Sequence, residues 1–475
     1  MRGLSNKIKL PKVSCRHLLL INYYSFFILH FGKFKMKRTI TLLLGIGLAL
    51  ATNSAMAKDF YISPQGSDYN SGTINSPLAT IMTAQDKASY GDTVYIRGGT
   101  YRPDNTNISA RQSVRAIVNN ITKDGIHYIN YPGERPIFDF SNVRPKDERV
   151  VAFMVNADDC EFKGFEVVGV QITIDDRHTQ STAIRVYHGN NNRFENLAIH
   201  DGMGIGWYLE SGSNNLVLNV DAYNNQGLNK YSMGNIDGFG VHPRTAAGTG
   251  NVIRGSRAWF NSDDGFDIIN AHAAVTIENS WAFYNGYDKN MTPKEDGNGF
   301  KGGGYGRNGS TPPQIIPRHT IKHCLSVRNR SAGFYSNHHI GGINWINNTA
   351  IRNGSANYNM LSTLSDNLTD VPGYGHYMRN NLGFDGRNEV INLGDVNQND
   401  VGFNYFNLPV TITSKDFLRL RPEELMYPRK ANGDLPKIYY AKLKQGSDLI
   451  DAGINAGESY NGQAPDLGAF ESDYN

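Results

Sequence analysis

The chain has 475 residues, 19% of them charged, with 47 Lys and Arg against 44 Asp and Glu. Nine of the basic residues and none of the acidic ones lie in residues 1–57, so the remainder carries 38 basic and 44 acidic residues, a net charge of −6. Because nucleic-acid binders carry a basic excess, this balance argues against a nucleic-acid partner. It is compatible with an acidic polymer that local cationic side chains or a bridging cation would contact.

The first 57 residues have the pattern of a secretory leader. Two basic residues at 37–38 precede an apolar run over about residues 40–51, and a small-residue cleavage motif follows at 55–57. The run is too short to cross a bilayer. We expect translation to start at Met36 and the mature protein to be secreted, periplasmic or extracellular, with no membrane span. The alternative interpretation is a second anchor in the apolar residues 18–31.

The two ends of the mature chain have the pattern of caps. Ser76-Pro77 opens a short amphipathic helix, and a strand is predicted over Thr93–Arg97. A helix over the first coil would shield an open sheet edge, as repeat proteins require. Residues 397 to about 440 lose the repeat described next and gain Pro and Lys, so we predict that they and the tail form an irregular C-terminal cap over residues 397–475.

A recurrent asparagine predicts the fold between these caps. Similar phrases close on it with steps of 36, 24, 44 and 24 residues, at Asn225, Asn261, Asn285, Asn329 and Asn353. A basic period of 24 with two insertions is typical of a solenoid, and each period contains short alternating strands bounded by turns. We predict an all-β chain with a parallel β-helix over residues 58–396. Its asparagines lie in turns or stack as internal ladders; an antiparallel sandwich is the alternative fold.

Four Gly-Phe pairs mark the same point of successive coils. They are Gly238-Phe239, Gly265-Phe266, Gly299-Phe300 and Gly333-Phe334. If the pairs stack, the residues before and after them form columns on one face of the coil. These columns contain the carboxylates Asp237, Asp263, Asp264 and Asp267 and, one coil along, a single lysine, Lys301.

The four carboxylates predict a metal site. They would repel one another strongly unless a cation lay between them. An all-oxygen set suits Ca²⁺, which accepts loose coordination by roughly six to eight oxygens, and the spacing does not match an EF-hand. Few His or Cys lie nearby, which argues against zinc. The alternative is that the Asp-Gly pairs are simply turns.

Lys301 is the candidate general base. It follows Asn298-Gly299-Phe300 and precedes three glycines, which leave space around its ammonium group. A nearby divalent cation would favour the neutral amine, and a neutral lysine can abstract a proton. The alternative role is a salt bridge to Asp267.

Three short motifs around these columns carry a resemblance to a known family. They read Ile-Asp-Gly-Phe-Gly at 236–240, Ser-Asp-Asp-Gly-Phe-Asp at 262–267 and Gly-Asn-Gly-Phe-Lys at 297–301, with support from residues 278–283 and 464–471. Together they resemble polysaccharide lyase family 9, the pectate lyase L type, over most of residues 58–471.

The resemblance implies a right-handed parallel β-helix that uses Ca²⁺ and cleaves pectic galacturonan by β-elimination. By this likeness Asp237, Asp263, Asp264 and Asp267 bind calcium and Lys301 is the Brønsted base. The chemistry agrees, because the proton at C5 of a galacturonate lies beside a carboxylate, where a bound cation would stabilise the developing negative charge.

One segment departs from the family pattern. A lysine-rich stretch is expected after the Asp-Gly-Phe-Gly motif, where this chain has Val241-His242-Pro243-Arg244. The family also resembles enzymes acting on rhamnogalacturonan I, whose alternate sugars are uncharged, so fewer cationic contacts are needed. We expect homogalacturonan first and rhamnogalacturonan I second. The candidate substrate-binding residues are His242, Arg244, His338, His339 and Arg352.

Two other functional classes are alternatives. A polygalacturonase-type hydrolase would share the β-helix and use a carboxylate pair as acid and base, but Lys301 would have no role. A non-catalytic carbohydrate-binding β-helix would explain the fold but not the Asp and Lys columns. Cys160 and Cys324 are predicted to be core residues about five coils apart, too far for a disulfide. We expect a monomer.

Overall fold

The computed structural model describes residues 56–174, 180–227, 233–307 and 310–474. Ala57–Asn475 forms one compact unit. The predicted leader, residues 1–57, lies almost wholly outside the described residues. Within the described ranges, no helix is long and apolar enough to cross a membrane.

Three sheets of stacked parallel strands make up this unit. Sheet 1 contains Asp59–Ile62, Thr93–Ile96, His127–Asn130, Glu161–Lys163, Arg193–Glu195, Leu216–Leu218, Asn251–Arg254, Val275–Glu278, Thr320–Lys322, Asn344–Ile346, Tyr377–Arg379 and Asp400–Gly402. Sheet 2 contains Gly99–Tyr101, Pro136–Asp139, Glu166–Val168, Ala198–His200, Asp221–Tyr223, Arg257–Trp259, Trp281–Phe283, Leu325–Val327, Thr349–Ile351 and Leu382–Phe384. Sheet 3 contains Ala110–Gln112, Arg115–Ile121, Arg149–Val155, Thr182–Val186, Ile205–Leu209, Phe239–Val241, Phe266–Asp267, Phe300–Lys301, Phe334–Tyr335, Tyr358–Asn359 and Val390–Ile391.

The chain passes from sheet 1 to sheet 2 to sheet 3 and back, so neighbouring strands in a sheet come from successive coils. The pairing is parallel in all three sheets, except for the short edge strand Ala110–Gln112 in sheet 3. This arrangement is the predicted parallel β-helix, and it excludes the antiparallel sandwich.

A helix covers the N-terminal end, but it begins later than expected. It spans Ile81–Lys87, and the Thr80 hydroxyl caps it by accepting a hydrogen bond from Thr83 N at 3.2 Å. Ser76-Pro77 does not open the helix because Leu78 pairs with Ile62 in a β-bridge. The remaining short elements are the antiparallel pair Ser362–Thr363 and Asp370–Val371 and the 3₁₀ turns Asn105–Asn107, Met233–Asn235, Val396–Gln398, Ser414–Asp416 and Pro422–Met426.

Inside the coil, the phenylalanines of the Gly-Phe pairs stack as predicted. The ring centroids of Phe239, Phe266, Phe300 and Phe334 are 4.8, 4.8 and 5.0 Å apart in turn. All four are fully buried. This stack fixes the register of sheet 3, since a slip by one residue would move the rings to the outer face.

The recurrent asparagines form an internal ladder beside the glycines. Each side-chain amide donates to the oxygen of the next, as from Asn261 to Asn285 at 3.0 Å and from Asn285 to Asn329 at 3.0 Å. The left-handed residue of the turn is the one before, such as Phe260 or Tyr284. A Cβ at Gly265 would lie 2.7 Å from Gly299 O and 2.8 Å from Asn285 Nδ2, so the backbone of the next coil and the ladder together explain why glycine precedes the phenylalanine.

The C-terminal segment lies against sheet 2. Its side chains Leu425 and Tyr440 are buried in a cluster with Trp281 and Leu325 of that sheet. The last strand of the coil is Asp400–Gly402, and the boundary at residue 396 stays a prediction. Both cysteines in the described part of the chain, Cys160 and Cys324, are free and buried.

Candidate active site

The site residues lie along sheet 3: Asp267 and Lys301 are on its strands, and Asp237, Asp263 and Asp264 are in the turns that lead into them. Strand register aligns Arg185, Tyr208, Gly240, Asp267, Lys301 and Tyr335 across six consecutive strands. Each position directly follows a buried core residue, which is aromatic in every strand except Thr182–Val186, so these side chains alternate to the opposite side. We call this set the site column. The stacking predicted from the Gly-Phe spacing therefore places Lys301 beside Asp267.

Three of the four predicted metal ligands converge. Asp237, Asp263 and Asp264 each offer a carboxylate oxygen, and these oxygens lie within 4.8 Å of one another. All three are buried. Asp267 is buried nearby, but its Oδ2 lies 3.3 Å from Lys301 Nζ and its Oδ1 accepts from Ile269 N at 2.7 Å. The structure thus brings three of the predicted ligands into a carboxylate triad and leaves Asp267 beside it, where Asp267 shares Lys301 with Asp264.

Backbone amides of successive coils hold the triad in place. Asp237 Oδ1 accepts a hydrogen bond from Asp264 N at 3.1 Å, and Asp264 Oδ1 accepts from Asn298 N at 2.6 Å. Asn298 continues the column, since its Oδ1 accepts from Ala332 N at 3.1 Å. Each of these side chains therefore bonds the equivalent residue of the next coil, which explains how carboxylates can be positioned inside the turn.

The triad carries unfavourable charge as it stands. Burial raises the pKa of Asp237 and of Asp263 well above the usual range, and repulsion from neighbouring carboxylates raises both further. Burial also raises the pKa of Asp264, although Lys301 opposes that shift. Asp263 Oδ1 is buried without a hydrogen-bond partner. Such a group calls for a compensating ligand.

The residues present fit a hard divalent cation. The donor set is all carboxylate oxygen, it is held by a rigid backbone, and one of its buried oxygens has no partner. Oxygen ligands of this kind match Ca²⁺ in preference to zinc. The triad is therefore a candidate divalent-cation site.

Lys301 lies between two aspartates. Its Nζ is 3.0 Å from Asp264 Oδ2 and 3.3 Å from Asp267 Oδ2, and its side chain is 15% exposed. Burial lowers the pKa of Lys301, but the surrounding carboxylates, Asp264 first, outweigh burial and raise the pKa well above its usual value. The salt bridge considered as an alternative role is thus formed.

His242 and Arg244 lie next to the site column. His242 Nε2 is 4.0 Å from Asp267 Oδ2, and its ring packs edge-on against Tyr208 at 5.0 Å. Burial, with help from Lys301 and Arg244, lowers the pKa of His242 to about 3. Arg244 is exposed and pairs with Glu210 at 2.9 Å. Residues 241–244, which differ from the family pattern, therefore border the site.

His338 lies one coil beyond Lys301, beside Tyr335. The two ring centroids are 5.9 Å apart, and His338 Nδ1 is 2.6 Å from Asp370 Oδ1. Arg307 also pairs with Asp370. Because His338 is partly exposed, it remains a candidate for substrate contact.

His339 and Arg352 differ from expectation. His339 is fully buried; its Nδ1 accepts from Gly304 N at 3.1 Å and its Nε2 donates to Pro317 O at 2.9 Å. It therefore supports the backbone after Lys301 and cannot contact a polymer outside. Arg352 pairs with Asp385 at 2.8 Å in the turn that leaves sheet 2. The structure does not place it in the site column.

Two features of the site were missed from the sequence. Asn298 holds Asp264 through both its backbone N and its Nδ2, at 2.6 and 2.8 Å. Its place in the column after Asp237 and Asp264 was a signal that could have found it. Glu210, which pairs with Arg244 and with Arg185, precedes the Gly-Phe repeats and gave no such signal.

The comparisons with known proteins define the class to which this fold and site belong. A structure named rhamnogalacturonan lyase aligns with a TM-score of 0.78 and 42% identity over 82% of this chain and 97% of its own. The crystal structure of pectate lyase Pel9A aligns with a TM-score of 0.70 and 32% identity over 88% and 96%. Pectate lyase L of Dickeya chrysanthemi is 34% identical over 438 residues, 89% of this chain and 92% of that protein. The chain is a polysaccharide lyase.

A family model identifies the particular family within this class. The model of the Pel9A-like, right-handed β-helix region matches residues 60–381. The chain belongs to this family, which confirms the predicted family and the right hand of the coil.

Proposed function

We propose that this protein cleaves pectic galacturonan by β-elimination, with Lys301 as the base and Ca²⁺ held by the aspartates. The observation that carries the proposal is the position of Lys301 Nζ, 3.0 Å from one member of a buried carboxylate triad and on the outer face of the sheet. The names of the relatives at 32–42% identity support a pectic substrate. The pattern of a leader in residues 1–57 supports secretion.

The chain's own residues have distinct roles in the proposed reaction. Asp264 and Asp267 hold Nζ of Lys301 from one side, so its free side faces the polymer. The neutral amine takes the proton from C5 of a galacturonate, the electron pair forms the C4–C5 double bond, and the C4–O bond breaks. The released oxygen takes a proton from water, and the resulting hydroxide takes the proton from the Lys301 ammonium, which restores the base. An unsaturated uronide remains at the new end.

The aspartates would provide the calcium site. Asp237, Asp263 and Asp264 are its ligands, with Asp267 at the edge of the set. Calcium, when bound, would neutralise these carboxylates and that of the substrate, which favours both the neutral amine and the charge that develops beside C5.

Of the two pectic polymers, we propose rhamnogalacturonan I ahead of homogalacturonan, the reverse of the order expected from the sequence, although the names of the relatives called pectate lyase point to homogalacturonan. His242 is held neutral, Arg244 is paired with Glu210, and Arg352 lies elsewhere. Few free cations therefore border Lys301, which suits a polymer whose alternate sugars are uncharged. The 42% identity to a protein named rhamnogalacturonan lyase points the same way.

The test is digestion of polygalacturonate and rhamnogalacturonan I side by side. We expect ultraviolet absorbance from the conjugated double bond, faster with rhamnogalacturonan I, lost after exhaustive chelation and restored by Ca²⁺ but poorly by Mg²⁺. New reducing ends without absorbance would identify a hydrolase instead. Full activity after chelation would overturn the calcium site.

A further inference from the structure

Four arginines gather on the outer face of sheet 3, to the N-terminal side of the triad. Arg115 and Arg149 are register partners on adjacent strands, Arg185 begins the site column, and Arg244 follows the strand Phe239–Val241. Arg115 and Arg149 each stand two residues before Ile117 and Val151, which form a small cluster outside the main core. Their side chains therefore share that outer face. We call this set the arginine recess.

The recess has far more positive than negative charge. Arg185 and Arg244 share one carboxylate, Glu210, whereas Arg115 and Arg149 form no ion pair within the described residues. The Nε atoms of Arg115, Arg149 and Arg185 are buried without a hydrogen-bond partner. Buried donors normally have partners, so the recess lacks an acceptor.

The pKa shifts of Arg115 and Arg149 agree with this excess of positive charge. Burial lowers the pKa of Arg115, and Arg185 lowers it further. Burial likewise lowers the pKa of Arg149, with additional repulsion from Arg115 and Arg185. An anion placed among these guanidinium groups would relieve both effects.

The recess is continuous with the catalytic residues. The Arg185 guanidinium lies 4.6 Å from the centre of the Tyr208 ring, and that ring packs against His242. His242 in turn lies 4.0 Å from Asp267, the partner of Lys301. Arg185 and Lys301 are four strands apart in the site column, which corresponds to about 19 Å at one strand spacing per coil.

We propose that the arginine recess is a remote subsite that binds a galacturonate carboxylate of the same polymer chain that reaches Lys301. Guanidinium groups pair with carboxylates in a bidentate, planar geometry, which suits a uronate. Identifying the ligand as a uronate rests on the proposed function. The subsite would make affinity depend on substrate length and on a free, unesterified carboxylate at that position.

The experiment compares long and short oligosaccharides. In a Lys301→Ala background that prevents turnover, calorimetry measures binding of a decasaccharide and a trisaccharide from each pectic polymer. Arg115→Gln, Arg149→Gln and the double variant should weaken decasaccharide binding by about 10- to 100-fold, the effect of losing a charged hydrogen bond. Trisaccharide binding should change by less than about twofold, because it cannot span the four strands.

The matched control is Arg111→Gln. Arg111 lies on the neighbouring strand, is 58% exposed and already pairs with Glu148 at 2.9 Å. The Arg111→Gln substitution removes one positive charge outside the recess, so the affinity for the decasaccharide should be unchanged. Arg149→Lys should recover part of the lost affinity. The recess variants should melt no lower than the background protein, since each removes repulsion.

Several outcomes would overturn the proposal. One is a decasaccharide affinity that does not change in the double variant, and another is an equal loss of affinity for the trisaccharide. The proposal would also fail if Arg149→Lys recovered none of the lost affinity, or if neither decasaccharide bound to the background protein. The proposed function fails separately: wild-type protein that releases no ultraviolet-absorbing product would refute elimination, whereas arginine-dependent, length-dependent binding would still stand.

Discussion

The protonation state of Lys301 depends on two opposing effects. Burial favours the neutral amine, whereas Asp264 and its neighbours favour the ammonium, and without a cation the carboxylates prevail. A cation among Asp237, Asp263 and Asp264 would shift that balance toward the form a base needs. The same aspartates thus provide both the metal site and a means of tuning the lysine.

Removing the amine tests its role directly. Lys301→Ala should reduce turnover by about 10²–10⁴-fold and leave substrate affinity nearly intact, because the aspartates and the backbone remain. Lys301→Arg should rescue little, since a guanidinium holds its proton far more tightly. Initial rates by absorbance, together with oligosaccharide affinity, measure both effects. Near wild-type turnover in Lys301→Ala would place the base elsewhere.

The pH dependence of turnover follows from the same proton. The pKa of Lys301 lies above its usual value in the metal-free site, so the neutral base is scarce at low pH and increases as pH rises. We expect activity at saturating calcium to rise toward alkaline pH. A rate profile with an acidic optimum would contradict this and favour a carboxylate pair as acid and base.

The triad should make stability depend on calcium and pH. The folded-state pKa values of Asp237 and Asp263 are raised, so folding takes up protons between about pH 3.9, the unfolded value, and the higher folded values. In chelator, the free energy of unfolding should therefore be greatest below this window and fall as pH rises through it. At neutral pH, calcium at a hundred times its Kd should restore about 2.7 kcal/mol. Thermal melts with and without calcium measure this.

Asp263→Asn isolates that effect. It removes a buried charge, so the metal-free protein should melt higher than wild type at neutral pH, while the increment from calcium should shrink. The matched control is Asp147→Asn, at an aspartate that is 75% exposed and lies outside the site. It should change neither melting temperature appreciably. A calcium increment as large in Asp263→Asn as in wild type would exclude Asp263 as a ligand.

At the scale of elements, the asparagine ladder joins the coils through their turns. Asn285 accepts two hydrogen bonds from Asn261, through the backbone N at 3.3 Å and Nδ2 at 3.0 Å. It donates to Asn329 and to Ala258 O, each at 3.0 Å. The ladder lies directly beneath Gly265, so it also supports the backbone from which Asp264 projects.

Asn285→Ala should therefore be strongly destabilising. Each buried group left without a hydrogen-bond partner costs about 1–3 kcal/mol, and this substitution removes the partner of several such groups. Denaturant unfolding measures the loss, and some activity should be lost with it because the turn at Asp264 loosens. Asn290→Ala, at an exposed site five residues on, should stay within about 0.5 kcal/mol of wild type. Equal stability of the two variants would contradict the ladder's role.

At the scale of the whole molecule, a buried ion-pair network fastens the C-terminal segment to sheet 2. Asp221 pairs with Arg257 at 2.7 Å and with Arg429 at 2.6 Å. Arg257 also donates to the backbone oxygens of Leu425 and Tyr427, at 2.9 Å each. One carboxylate thus connects the coil to a segment some two hundred residues later in the chain.

Asp221→Asn leaves two buried guanidinium groups without their counterion, so we expect a loss of about 3–5 kcal/mol. The ratio of rates on the two polymers should be unchanged at low temperature, because this network lies over sheet 2 and not over sheet 3. Asp385→Asn, in the more exposed pair with Arg352, should cost no more than about 1 kcal/mol. A small effect at Asp221 would show that apolar packing alone holds the segment.

Much of this protein follows from spacing along the chain. A parallel coil has one strand spacing per turn, so residues at equal points of the repeat must stack, whatever the loops between them. From the sequence alone, that rule predicts the alignment of the Gly-Phe pairs and the position of Asp267 beside Lys301. It also gave the asparagine ladder as one of two alternatives, and structure chose it because Phe260 and Tyr284, rather than the asparagines, take the left-handed turn conformation.

Only the tertiary structure determines which side chains are available to contact a substrate. His339 and Arg352 are candidate substrate contacts in the sequence, but His339 is fully buried and Arg352 is paired with Asp385 away from the site column. Arg115 and Arg149 lie well before the Gly-Phe repeats, where no motif marks them, and only the register of sheet 3 brings them into one recess. Spacing determines which residues are neighbours in the stack; burial and competing partners depend on loops and caps that obey no repeat.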